Sequence, residues 1–176
     1  WVKGSDAETI AEAEADIKRW RTDGKPNLLY VHIMNCHTAW RPSAEAQKAL
    51  GVAFAVPDAG LDWMDWFKLP KEARPARAVE YRQQYEAAVR DADTSMGRVL
   101  DALSASGEAA NTVVLLHADH GEALGDHNFV GHNRSVFEEV ARVPLMVKVP
   151  GAAPVRVNGR VGRLIDIPPT VLDIVG

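Results

Sequence analysis

The stretch His117–His132, HADHGEALGDHNFVGH, gathers four of the chain's six histidines with three carboxylates. Imidazoles and carboxylates side by side can hold a divalent cation or exchange protons near neutral pH. Asp119 and His120 are the sharpest pair, yet neighbours on a regular strand point to opposite faces. They can share one ion only where the chain turns, and Gly121 permits such a turn. A carboxylate alone suits calcium or magnesium, whereas the imidazole tilts the choice toward manganese or zinc. The competing reading is a solvated polar loop whose histidines cap helices or bond to backbone. Clusters of this kind are enriched at sites without being confined to them, so spacing favours the ion over the loop and leaves both open.

Something must position this cluster, and the flanking sequence supplies candidates. Thr112–Ala118 (TVVLLHA) reads as a buried strand that delivers Asp119-His120-Gly121 at its carboxyl end, where ligands bind in open α/β sheets. Asn27–Asn35 (NLLYVHIMN) is a second apolar run that suits a strand covered on both faces, and it feeds the loop Cys36–Pro42 with His37. Val143–Val149 (VPLMVKV) reads as a third strand and Gly162–Ile167 as a fourth.

Helical signals alternate with these runs. Ser5 followed by Glu8 is a capping-box signature, and Ile10, Ala13, Ile17 and Trp20 recur at helical spacing until Gly24-Lys25-Pro26, which predicts a helix over residues 5–23. From Arg77 to Ser106 one stripe, Tyr81, Tyr85, Ala88, Ala92, Met96, Val99 and Leu103, predicts a long helix stopped by Gly107. Pro168-Pro169 opens a last helix. Residues 43–75 are the least legible: a helical patch near Ala44–Leu50, then Gly51, Pro57, Gly60 and the aromatic knot Trp63-Met64-Asp65-Trp66-Phe67, which reads as packing before it reads as a substrate lid. Strands alternating with helices predict an α/β fold, a mainly parallel sheet flanked by helices. The strands 27–35, 112–118 and 143–149 are expected in one sheet, with His37, Asp119 and His120 gathered at one edge.

Thr112–Gly151, running through D-H-G-E, G-D-H and E-E-x-x-R-V-P-L to a terminal P-G, resembles a segment of the sulfatase family. Leu29–Pro42 is similar to that family's strand-plus-histidine element. Tyr81–Gly107 resembles its long helix around a central Asp, here Asp93, and Leu164–Gly176 its next strand and helix. The resemblance covers most of the chain outside residues 43–75. It implies a partial alkaline-phosphatase-like catalytic domain, with residues 1–176 as its central-to-C-terminal part.

On that resemblance Asp119 and His120 are metal ligands. Calcium is the ion the family implies, and manganese or zinc enter because many sulfatases carry Asn where His120 stands. His37 matches the histidine that contacts the transferred group or leaving oxygen. His132 falls where related enzymes often carry a lysine that neutralises sulfate or phosphate, work a protonated imidazole can also do. Asp126 and His127 read as structural supports of the loop, Arg142 as a loop anchor, and Glu122 either as an acceptor behind the ligands or as a helix-start charge. The family nucleophile, a Cys or Ser in C/S-x-P-x-R oxidised to formylglycine, has no match, nor has the early pair of acidic ligands. Cys36 is followed by His37-Thr38-Ala39-Trp40 and reads as a small loop residue.

Composition narrows the classes. The net charge is -4 and the Lys and Arg residues are scattered, so no basic stripe points to nucleic acid. No apolar run approaches the roughly 20 residues needed to span a bilayer. A single cysteine rules out an internal disulfide and leaves the compartment open. The start Trp1-Val2-Lys3-Gly4 is neither an initiator methionine nor a signal peptide, so the chain reads as a piece of a longer one. The leading expectation is hydrolysis of a small sulfate ester by a protein whose nucleophile lies upstream. Its rivals are a phosphonate or phosphodiester hydrolase, a phosphoethanolamine transferase, and a noncatalytic metal-binding module.

Overall fold

A computed structural model describes residues 5–23, 25–52, 63–157 and 162–176. The opening Trp1–Gly4, the helix-stopping Gly24, and Pro57 and Gly60 of the least legible stretch lie outside the described residues. Helix α1, Asp6–Asp23, starts as its sequence requires: the Ser5 N–H donates to Glu8 Oε2 at 2.7 Å and the Glu8 N–H returns to Ser5 Oγ at 3.4 Å. Ile10, Ala13 and Ile17 are buried on the face that packs against the long helix. Arg98 reaches Glu14 at 2.9 Å across that seam.

Two short helices follow. Helix α2, Ala44–Ala49, is capped by Ser43, whose Oγ accepts the Ala46 N–H. The Ser43 hydroxyl also donates to Asp91 at 2.7 Å, tying this turn to the long helix. Asp91 makes that tie, while Asp93 is exposed. Helix α3, Trp63–Lys68, carries the aromatic knot. The long helix α4, Arg74–Ser106, ends at Gly107 in the left-handed region, as expected. Its predicted stripe is the buried one: Tyr81, Ala88, Ala92 and Leu103 are buried, and Tyr85, Met96 and Val99 half-buried. Trp40, Trp66, Tyr81, Ala88 and Val130 form the core over this stripe. Burial of each large side chain there contributes about 1.5–3 kcal/mol.

Beyond α4 come strand β1, Val114–His117, a tight hairpin of β2, Ala123–Leu124, and β3, Val130–Gly131, the one-turn helix α5, Glu138–Ala141, strand β4, Leu145–Lys148, and helix α6, Ile167–Val175. Prolines stand in the first turn of α6 as its sequence predicts. No helix of the described residues is long and apolar enough to cross a membrane.

The strands depart from expectation in three ways. First, both described ladders are antiparallel, so the mainly parallel sheet is not formed among these residues. The chain leaves β1 at His117 and enters β4 at Leu145, which sits directly opposite. A parallel pair needs a crossover that returns to the far end, and the hairpin plus a four-residue helix provides none. Second, within residues 27–35 burial alternates from Leu28 onward, with Leu29, Val31 and Ile33 half-buried and Leu28, Tyr30, His32 and Met34 exposed. The backbone is therefore extended, but no neighbouring ladder among the described residues makes it a strand. Likewise β4 is exposed rather than buried, since nothing described here covers it. Third, the fourth strand is absent: Leu164–Asp166 is a 3-10 turn. Asp166 accepts the Arg163 backbone N–H at 3.1 Å and pairs with its guanidinium at 2.8 Å. A short acidic side chain that satisfies the backbone locally competes with a ladder and starts a helix instead.

Candidate active site

Directly after β1 the chain passes extremely close to α5. The Gly121 N–H donates to Val140 O at 2.7 Å and the Glu122 N–H to Glu139 O at 3.0 Å. A Cβ at Gly121 would stand 2.2 Å from the Glu139 carbonyl oxygen. Close approach, without a left-handed φ, is why glycine stands here, and the chain bends just before it at Asp119, the change of direction expected from the sequence. The passage leaves Asp119 and His120 projecting on the near side, with Asp119 Oδ1 3.8 Å from His120 Nε2 and the Asp119 side chain 69% exposed.

The hairpin then returns a second imidazole. Gly125, His127 and Asn128 adopt positive φ in its tip, so the chain reverses within a few residues. His132, just past β3, stacks on His120 with ring centroids 3.9 Å apart and 26° between planes. His37 arrives from the other side of the sequence. Its loop is pinned by Trp40, fully buried edge-on against Tyr81 and Tyr85, whose indole N–H donates to Cys36 O at 3.0 Å. The His37 ring lies 5.4 Å from His132 and 6.5 Å from His120. All four residues singled out from the sequence, His37, Asp119, His120 and His132, are thus brought together.

The imidazoles share one arrangement. Nδ1 of His120 faces Gly121 O at 2.8 Å and Nδ1 of His37 faces Thr38 O at 2.5 Å. A carbonyl only accepts, so each Nδ1 carries a proton and Nε2 is the nitrogen left for a ligand. His132 Nδ1 is held by Glu122 Oε1 at 3.0 Å, with only 12% and 3% of the two side chains exposed. From the sequence alone Glu122 stands between two roles. No local period marks it, because its partner lies ten residues away across a hairpin.

Burial governs the electrostatics. It lifts the Glu122 carboxyl from 4.5 to about 7, against the opposing pull of His120 and His37. Burial, and then the positive charges of His120 and His37, lower the His132 ring below its ordinary value, while Asp119 pulls it upward. The lysine-like role expected of His132 therefore needs an anion at the site to favour the proton. Beneath the rings, burial and then the charges of Asp6, Asp91 and Glu122 push the Cys36 thiol up to about 11. A thiol so held stays protonated and is a poor nucleophile, consistent with its reading as a loop residue.

The fit to a metal ion is partial. Two donors 3.8 Å apart can be spanned by one ion that sits about 2.0–2.6 Å from each. Among the described residues no group of three or more His, Cys, Asp or Glu side chains is placed to hold one. Asp119 and His120 thus offer an incomplete shell.

The remaining candidates have structural partners. Asp126 pairs with Arg82 at 2.8 Å, and His127 bonds to Glu139 at 2.9 Å while stacking on Phe137. Arg142 bonds Glu138 on the surface at 2.9 Å. Trp66 is packed in the core and donates to Asn128 O at 3.1 Å, whereas Phe67 remains partly exposed beneath the Arg134 guanidinium.

A sulfatase-family protein of Bacteroides fragilis superposes with a TM-score of 0.78 at 21% identity, covering 98% of this chain and 37% of that one. The chain belongs to the sulfatase family, whose model matches residues 2–176. It is 32% identical to iduronate 2-sulfatase of Mus musculus, over 88% of this chain and 32% of that protein. It is 33% identical to N-acetylglucosamine-6-O-sulfatase of Bacteroides thetaiotaomicron, over 55% of this chain and 17% of that protein. The chain therefore spans a third or less of the length of these two relatives.

Proposed function

We propose that residues 1–176 form the central-to-C-terminal part of a sulfatase catalytic domain, and that the full-length protein hydrolyses small sulfate esters. The observation that carries this reading is the meeting of His37, His120 and His132, with Asp119 beside them, from distant stretches of sequence. Sulfated sugars are the substrate class we favour. Support comes from the names of the two relatives above and from a fold relative solved with its substrate D-glucosamine-2-N,6-O-disulfate, with a TM-score of 0.56, 21% identity, and coverage of 82% of this chain and 43% of that one.

In this reading the formylglycine nucleophile is supplied from outside residues 1–176. His37 in its imidazolium form, with the Nδ1–H committed to Thr38 O, donates its second proton from Nε2 to the departing ester oxygen and is left neutral. His132 faces the same group and stabilises its anionic oxygens as charge develops. Asp119 and His120 hold a divalent cation, calcium by family and manganese or zinc by the chemistry of an imidazole ligand. When bound, that ion neutralises ester oxygens as a Lewis acid.

The test compares 4-nitrophenyl sulfate with 4-nitrophenyl phosphate, for the full-length protein and for residues 1–176, between about pH 5 and about pH 9. The expected result is sulfate turnover by the full-length protein and none by the shorter chain, because covalent catalysis needs its nucleophile in place. Turnover by residues 1–176 that chelator and Asp119→Asn both abolish would place the nucleophile within them. Preferential phosphate turnover would make the protein a phosphoryl-transfer enzyme, and an inert full-length protein a noncatalytic one.

A further inference from the structure

We propose that Glu122 is the positioning residue of His132, holding its ring by Nδ1 so that Nε2 is aimed at the anion His37 faces. The inference rests on the sulfate-ester reading of the site and adds a residue to it. Its basis is the register of the β2–β3 hairpin. Ala123 pairs with Gly131 and Leu124 with Val130, so the next rung outward sets Glu122 opposite His132. The backbone of Glu122 is itself clamped to Glu139 O at 3.0 Å, and Ala123 behind it is fully buried. A cross-strand pair on so short a ladder has little freedom.

The consequence is chemical. With its carboxylate ionised, Glu122 Oε1 only accepts, so the bond of 3.0 Å requires the proton on Nδ1 of His132. Nε2 is then the nitrogen presented to the substrate, the same choice that backbone carbonyls impose on His37 and His120, and it meets an anion as a donor when the ring is the imidazolium with a second proton on Nε2. No backbone carbonyl does this for His132 among its described contacts. The carboxylate takes that place, much as carboxylates orient histidines that act through their other nitrogen. The stack on His120, 3.9 Å away, limits ring rotation but cannot select a tautomer.

Two substitutions of nearly equal volume separate positioning from filling. In the full-length protein Glu122→Gln keeps an acceptor, whereas Glu122→Met fills the space without one. With 4-nitrophenyl sulfate, E122M is expected to lose about 10–100-fold in kcat and no more than His132→Ala, with E122Q between it and the parent. The double variant E122M/H132A should lose no more than H132A alone. Independently, 15N spectra of the histidine rings at pH 8, where Glu122 is ionised, should show His132 protonated at Nδ1 in the parent and redistributed toward Nε2–H in E122M. Equal activity of E122M and E122Q, an additive double variant, or a parent His132 protonated at Nε2 would each overturn the proposal. A protein that turns over no ester defeats the sulfate-ester reading instead, and the tautomer of His132 then decides alone whether Glu122 holds the ring.

Discussion

His120 and His132 lie ring on ring, 3.9 Å between centroids, although His120 follows β1 and His132 follows β3. Two imidazoles at that distance repel once both are protonated, and an anion bound against the rings would offset that repulsion. If His132 supplies positive charge to an ester, then His132→Lys should keep turnover within about tenfold of the parent. His132→Ala should lose about 100–1,000-fold, the scale of a lost charge-stabilising donor. Steady-state kinetics on 4-nitrophenyl sulfate decide between them, and equal losses would show that charge is not what His132 contributes.

His37 is assigned to the leaving oxygen, which makes its effect depend on the substrate. For a series of aryl sulfates, His37→Ala in the full-length protein should cost about 100–10,000-fold with the poorest leaving groups and little with the best. A uniform loss across the series would mean that His37 binds the sulfate without donating a proton.

Residues 1–176 should bind a divalent cation weakly, since Asp119 and His120 satisfy only part of a calcium or zinc shell. Calorimetry with calcium and manganese should give low-affinity heats that vanish in Asp119→Ala/His120→Ala. Tight stoichiometric binding that survives both substitutions would refute the ligand assignment.

Gly121→Ala should be costly for the fold. The new methyl would meet backbone, the Glu139 carbonyl oxygen at 2.2 Å, which cannot step aside as a side chain can. Overpacking of this kind costs about 1–3 kcal/mol, read as a lower urea midpoint, and an unchanged midpoint would show that α5 yields freely.

Glu122 ties stability to pH. Its folded value, about 7, lies above its ordinary 4.5, so the folded chain holds the extra proton and loses stability as pH rises between these values. Above about 7 the full cost of a buried carboxylate is present; below 4.5 it is absent. Glu122→Gln removes it. The variant should therefore gain urea midpoint over the parent at pH 8 and lose most of that gain at pH 5. A gain independent of pH would assign the effect to packing.

Legibility followed the range of the interaction. The capping box Ser5–Glu8, the stripe on α4 and the stop at Gly107 are local, and each took its expected form. Trp66 was legible as packing, since a large aromatic on a short helix has few other uses. Residues 27–35 and 162–167 misled for opposite reasons. The first run has strand character without a ladder partner, and the second has its backbone claimed by the Arg163–Asp166 turn. The direction of the β1–β4 pair was likewise invisible, because only the return path through the hairpin and α5 makes His117 face Leu145.

By itself the sequence determined which groups are chemically able: His37, Asp119, His120 and His132 are marked by residue type and motif, since imidazole and carboxylate chemistry is intrinsic to the side chain. Tertiary structure alone decided which nitrogen each imidazole presents and which acid serves which base. Those depend on hydrogen bonds to Thr38 O, Gly121 O and Glu122 Oε1. The bond to Glu122 forms only because the hairpin register lays residue 122 across from residue 132, and no spacing along the chain encodes a distance across it.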